Sequence, residues 1–254
     1  MDAKAIRSLM PELGEFLSRY APLFGRDENQ LHAMTIMQGL LAGGERRNVE
    51  NMAEAAEGGV VRTLQKFIAQ GVWKDAAVLS ELRMHVVELL GDDDAVMILD
   101  ETGFPKKGVK SVGVARQYSG TLGRIDNCQI GVFLNYCSRH GHTLLDRRLF
   151  LPESWTQDRD RCAAAGVPAS VMFRTKPALA GEMVEQALRE GVPFRWVAGD
   201  SVYGSNPTFL QTLRLLEKWY VMDLTSSTRA WTSAPVIRPV GRTTRLGGRP
   251  TQNQ

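Results

Sequence analysis

Two apolar runs in the chain each end on an aspartate. Ala95-Val96-Met97-Ile98-Leu99 delivers Asp100, and Phe194-Arg195-Trp196-Val197-Ala198-Gly199 delivers Asp200. Carboxylates are hard oxygen ligands of the kind that Mg2+ and Mn2+ prefer. Two such ions held roughly 3.5–4 Å apart activate an attacking oxygen and stabilise a leaving one in phosphodiester chemistry. Either aspartate alone is more simply read as a capping or turn carboxylate at a strand end. Both together, each with a glycine nearby, favour a metal pair. The other metal-ligating types are less suggestive: His140 and His142 sit two apart in a turn, and His32 and His85 lie on helices without partners.

Composition bounds the setting. The 254 residues carry a net charge of +3, a small excess that solubility alone explains. Its distribution is more telling. Between Thr102 and Ile125 there are five Lys or Arg and no acid, and after Ser226 there are five Arg and no acid. The three cysteines, Cys128, Cys137 and Cys162, lack metal-ligand spacing and read as reduced thiols. No signal peptide is expected, and no apolar run approaches the roughly 20 residues of a membrane span. The expectation is a soluble cytoplasmic protein without a membrane partner.

The elements that must position Asp100 and Asp200 fall into two groups. Residues 1–91 read as a helical domain. Ile6, Leu9, Leu13, Phe16, Leu17 and Tyr20 recur at helical spacing, and a second helix starts at Asp27 with Leu31, Met34, Leu40 and Leu41 inward. Asn48 caps a short helix reaching Glu57, Gly58-Gly59 breaks it, and a further helix carries Val61, Leu64, Phe67 and Ile68. This pair fits a helix-turn-helix DNA-binding unit, with Arg46, Arg47, Arg62 and Lys66 supplying phosphate contacts. From spacing alone an ordinary helical hairpin in a bundle is the simpler reading. A fifth helix, from Asp75 to Leu90, places Val78, Leu82, Val86 and Leu89 inward.

At Ala95 the apolar period shortens, and residues 92–224 read as an α/β domain. Ala95 to Asp100 is a buried strand, and the basic stretch from Gly103 to Gly123 is a long loop or irregular strand. Cys128–Cys137 and Thr143–Leu151 form an antiparallel pair around the turn Arg139-His140-Gly141-His142. Lys176-Pro177 opens a helix with Leu179, Met183, Val184, Ala187 and Leu188 on its apolar face, stopped by Gly191. The strand Phe194–Asp200 follows, then a helix entered at Asn206-Pro207, then the strand Trp219–Leu224. Trp155, Trp196 and Trp219 read as core aromatics. The order βββαβαβ, with a mixed sheet, is that of an RNase H-like α/β core. In such a sheet the first strand and the strand after the first helix are parallel neighbours, so Asp100 and Asp200 would lie side by side. Residues 225–254 form a basic tail expected to be unstructured.

The local contexts add to this. Asp100-Glu101-Thr102-Gly103-Phe104-Pro105-Lys106-Lys107-Gly108 and Gly199-Asp200-Ser201-Val202-Tyr203-Gly204 resemble the first two acidic motifs of insertion-sequence DDE transposases. Gly-Val-Ala-Arg-Gln-Tyr-Ser-Gly at 113–120, Asn127-Cys128-Gln129-Ile130-Gly131-Val132, Leu145-Asp146-Arg147-Arg148-Leu149 and Leu151-Pro152-Glu153-Ser154-Trp155 extend the likeness over most of the chain. The resemblance implies binding of double-stranded DNA at element ends and target. It also implies a nick that needs two Mg2+ or Mn2+ ions and frees a 3′-hydroxyl, attack of that hydroxyl on target DNA, and a homodimer pairing two ends. Asp100 and Asp200 would be the first two catalytic, metal-holding acids. Lys106, Lys107, Lys110, Arg116 and Arg124 would lie along the DNA backbone. Tyr203 would touch DNA or simply pack.

The family's third acid is a Glu on a helix after the fifth strand, commonly beyond an insertion, in a pattern of Tyr, Arg, Glu and Lys. Here Glu217 precedes the fifth strand and Asp223 falls inside it. Neither matches, so the expectation is a transposase truncated before its third acid. A rival is a non-catalytic DNA-binding protein or transposition inhibitor derived from one. A haloacid-dehalogenase-type phosphatase would need an acid where Thr102 stands.

Overall fold

The computed structural model describes residues 8–42, 47–229 and 233. Its first part is helical: α1 Met10–Ser18, a 3-10 turn Ala21–Phe24, α2 Asp27–Ala42, α3 Val49–Ala55, α4 Val61–Gln70 and α5 Asp75–Leu90. The Asn48 side chain accepts a hydrogen bond from Asn51 N at 2.9 Å, satisfying one of the free amides at the start of α3. Leu64 and Phe67 are the buried residues of α4, and Phe67 stacks on Trp73 with ring centroids 4.7 Å apart.

Several side chains expected to face inward do not. Leu31, Ile68 and Leu89 are exposed. For Leu89 the cause lies on its own helix. Arg83, a residue type expected outside, is 3% exposed and turned toward the sheet. With Val86, Val87 and Leu90 it sets the inner face of α5, which leaves Leu89 on the rim.

The second part is a mixed sheet with strands β1 Val96–Pro105, β2 Ala115–Ser119, β3 Arg124–Ser138, β4 Gly141–Phe150, β5 Trp196–Gly199 and β6 Trp219–Met222. β3 pairs antiparallel with β1, β2 and β4, while β1 pairs parallel with β5 and β5 with β6. An antiparallel meander feeding a parallel βαβαβ half is the RNase H-like arrangement. The helices are α6 Glu153–Thr156, α7 Arg159–Ala164, α8 Lys176–Arg189, α9 Ser201–Gly204 and α10 Pro207–Leu215. Ala180, Met183, Val184 and Ala187 of α8 pack with Met97, Leu99, Val132, Leu134 and Val197 in the main core. Ile98, Trp219 and Val221 are exposed, so the tryptophan expected in the core at 219 is on the surface.

Two departures from expectation share one cause. β1 does not stop at Asp100 but continues to Pro105, and the basic stretch contains a sixth strand, β2. β3 is 15 residues long, and its early half offers edges to both: Pro105 pairs with Cys128, and Ala115 to Ser119 pair with Cys128 to Arg124. A partner strand of that length rescues polar sequence from the loop state, because backbone pairing there needs no apolar alternation.

The β3–β4 ladder shifts register between Leu134, opposite Asp146, and Asn135, opposite Leu144. The unpaired Leu145 marks a bulge. Consecutive strand residues normally face opposite ways, yet Leu145 and Asp146 are both buried. The bulge turns Asp146 inward to Arg83, whose Nη2 donates to it at 2.8 Å while Nη1 donates to Glu190 at 2.7 Å.

Candidate functional site

Asp100 and Asp200 meet through strand register. The parallel ladder between β1 and β5 runs from Val96 opposite Trp196 to Leu99 opposite Gly199, and the next position on each strand is the aspartate. Neighbouring strands lie about 4.8 Å apart. Asp100 is therefore not at the end of its strand, as expected, but at the end of its parallel pairing. Asp200 stands where the chain leaves the sheet. Its Oδ1 accepts a hydrogen bond from Val202 N at 2.9 Å and caps α9, while Asp100 Oδ1 accepts from Glu101 N at 2.7 Å. The second oxygen of each carboxylate has no donor among the described residues, and both side chains are exposed. Two exposed carboxylates, each with one uncommitted oxygen, fit a hard divalent cation.

The glycines of the second motif exist for close approach. A Cβ on Gly199 would meet the Tyr203 ring at 3.1 Å and Met222 Sδ at 3.3 Å, and one on Gly204 would sit 2.2 Å from the Asp223 carbonyl oxygen. These contacts let α9 lie flat against the ends of β5 and β6. Gly204→Ala would lift α9 and is expected to cost about 1–3 kcal/mol. The check is the midpoint of urea unfolding; an unchanged midpoint would contradict the packing.

Asp223 lies one residue past β6 rather than inside it. Its amide donates to Gly199 O at 3.0 Å, but its side chain is exposed. Glu217 occupies a left-handed turn, φ 55°, between α10 and β6, not the preceding helix. Among the described residues no group of three or more His, Cys, Asp or Glu is arranged to hold a metal.

Glu101 is the residue whose role the sequence concealed. It alternates to the inner side of β1, away from Asp100. One of its oxygens pairs with Lys176 Nζ, and the other accepts the Tyr203 hydroxyl at 3.1 Å. Strand alternation was the signal that could have found it, had β1 been read past Asp100. Tyr203 is fully buried, which selects packing over contact with DNA. Burial pushes its phenol well above the ordinary pKa, and the negative charges of Glu101, Asp200 and Asp100 push the same way.

The basic residues are spread over two surfaces. Lys106, Lys107 and Lys110 are exposed between β1 and β2, with Arg116 exposed on β2. Arg124 is also exposed but donates to Asp126 at 2.9 Å, which offsets its charge. Arg62 and Lys66 project from one exposed side of α4, and Arg47 is exposed before α3. Arg46 lies outside the described residues.

The loop bearing the three lysines is tied down from behind. The indole N–H of the buried Trp155 donates to Val114 O at 2.8 Å, and the Arg161 guanidinium stacks 3.8 Å from the Trp155 ring. Arg161 Nη2 also donates to Val109 O at 2.8 Å. No spacing rule pointed to Arg161.

The family model described as DDE superfamily endonuclease matches residues 19–254. The chain belongs to this family. A relative from Microchaete diplosiphon, named "Probable transposase for insertion sequence element IS701", is 30% identical over 168 residues. That match covers 65% of this chain and 40% of the relative, so the DDE chain described here spans about 40% of the curated protein's length. The solved "Drosophila P element transposase strand transfer complex" has 11% identity and a TM-score of 0.23 over 72% of this chain and 40% of its own. That likeness is too loose to carry an argument.

Proposed function

We propose that this chain is the end-binding and metal-holding part of an insertion-sequence transposase. It would grip double-stranded DNA through Lys106, Lys107, Lys110 and Arg116 beside the site, and through Arg47, Arg62 and Lys66 on the helical part. Asp100 and Asp200 would hold Mg2+ or Mn2+, two ions in a complete site. The observation that carries this reading is the register by which each aspartate directly follows the last paired residues, Leu99 and Gly199, of adjacent parallel strands. The family membership and the transposase name of the relative support it.

When bound, the metal supplies activation of the oxygen that attacks the phosphodiester and stabilisation of the oxygen that leaves. The chain's own residues do the rest. The two carboxylates face solvent where the β1–β5 pairing ends, and there a DNA backbone would reach them while the lysine loop neutralises neighbouring phosphates. Pairing of two ends would require a homodimer on DNA.

Among the described residues no third acid joins the pair. For those residues this favours a second reading, a protein that occupies element ends without cutting them.

The purified chain is therefore expected to bind a duplex carrying the element's ends and to leave both strands intact in Mg2+ or Mn2+. Its affinity should fall steeply with salt, with a log–log slope of about −0.9 for each phosphate contacted. Specific 3′ nicking that disappears in Asp200→Ala would establish cutting and overturn the second reading. Failure to bind DNA in any salt would sink both.

A further inference from the structure

The β1–β5 ladder stops at Leu99 opposite Gly199. Beyond that point β1 continues along β3, whereas the chain after Gly199 turns into α9. Past that pair the two segments are no longer matched residue by residue. A side-chain connection spans them instead. Tyr203, three residues beyond Asp200, donates its hydroxyl to Oε2 of Glu101, the residue next to Asp100.

From this we infer that Glu101 and Tyr203 form a strut that sets the spacing of Asp100 and Asp200, with Lys176 as its brace. The inference rests on reading the two aspartates as a metal pair. Glu101 is a positioning residue and not a ligand, because both of its oxygens are already taken and it points to the inner side of the sheet.

The setting supports a built device. The Glu101 and Lys176 side chains are 14% and 19% exposed, and Tyr203 is fully buried. A carboxylate so enclosed requires partners, and it has two. Lys176 stands in the first turn of α8, where a cation opposes the helix dipole. The helix start is already provided for by the Thr175 side chain, which accepts from Ala178 N at 3.2 Å, and by Pro177. The pairing with Glu101 accounts for the lysine where helix formation does not. Gly199 completes the arrangement, since a Cβ there would meet the Tyr203 ring.

A strut that fixes carboxylate spacing matters most to an ion with strict geometry. Mn2+ and Mg2+ demand a near-octahedral set, whereas Ca2+ tolerates irregular ligand positions. Outer groups that orient metal ligands typically contribute tenfold or more in affinity. Tyr203→Phe keeps the buried ring and removes only the hydroxyl.

The test titrates Mn2+ into the full chain by electron paramagnetic resonance, with Ca2+ measured by competition and thermal unfolding recorded in chelator. Tyr203→Phe is expected to weaken Mn2+ by about tenfold and Ca2+ by less than about threefold, so selectivity falls. Lys176→Arg should retain wild-type selectivity and Lys176→Met should lose it. Unchanged Mn2+ affinity in Tyr203→Phe overturns the strut. An equal loss of both ions with a lowered melting temperature shows a purely structural role and also overturns it. Should Tyr203→Phe fail to fold, Glu101→Gln is read by the same criteria. Asp200→Asn separates the two levels: if it binds Mn2+ like the wild type, the metal pair itself is wrong.

Discussion

Asp146→Ala is expected to cost roughly 3–5 kcal/mol of folding stability, the usual penalty for removing one partner of a buried ion pair. Arg83 and Asp146 have side chains 3% and 0% exposed, so solvent cannot take over for the missing carboxylate. The guanidinium would keep Glu190 as a partner but lose the bond at 2.8 Å to Asp146, and its Nε is already buried without an acceptor. Asp146 also accepts from Arg148 and from the Arg147 amide at 2.6 Å, so its removal loosens β4 at the bulge. The loss is not a measure of what the pair contributes. Arg83→Met with Asp146→Leu would replace two desolvated charges by apolar volume and is expected to recover most of the stability. Urea unfolding of the two variants decides the matter; a single-variant loss below about 1 kcal/mol would show that Arg83 is not truly sequestered. The consequence reaches function, because Arg83 joins α5 of the helical part to β4 and α8 of the sheet part.

Much of this structure follows from local pattern. α5 begins at Asp75 and ends at Leu90 as its spacing predicts, and α8 and α10 begin where Lys176-Pro177 and Asn206-Pro207 place them. α8 and α10 have side-chain caps and apolar stripes, so local physics and tertiary packing agree there, whereas α5 keeps its bounds although Arg83 interrupts its stripe. The failures come from long-range pairing. β1 past Asp100 and all of β2 exist because β3 lends them an edge, and no periodicity within residues 103–123 announces that. Arg83 and Asp146 defeat a hydrophobic stripe for a similar reason: each is buried only because the other is. In the site, the two aspartates were legible because they end apolar runs, and their juxtaposition followed from strand order. Glu101 was not, because its meaning depends on Tyr203 and Lys176, which are distant in sequence. Trp219 was misplaced because an aromatic on a strand says nothing about which face is covered.

Trp155→Ala is the second large effect, and it separates anchoring of the DNA-facing loop from contact with DNA. Trp155 is fully buried in a small second core with Val114 and Cys162, away from the main one. Truncating a buried tryptophan costs about 3–5 kcal/mol, and here the lost indole also leaves Val114 O with only the longer bond of 3.4 Å from Arg161 Nη2. A core this small has little to close the cavity. Arg161→Leu is the finer probe. It removes the guanidinium that stacks on Trp155 and holds Val109 O, and so loosens the loop at Val109 while Asn127 still holds Lys106 O and Gly108 O. A loosened loop must be ordered again on binding, which lowers affinity without changing how many phosphates are neutralised. DNA affinity of Arg161→Leu is therefore expected to fall several-fold at every salt concentration with the slope of log K against log salt unchanged. Lys106→Ala or Lys107→Ala should instead flatten that slope by about 0.9 each. Titrations of a labelled duplex across a range of salt distinguish the two. A flattened slope in Arg161→Leu would mean that this arginine itself meets the phosphates, and that the loop's position is set by something other than the Trp155 core.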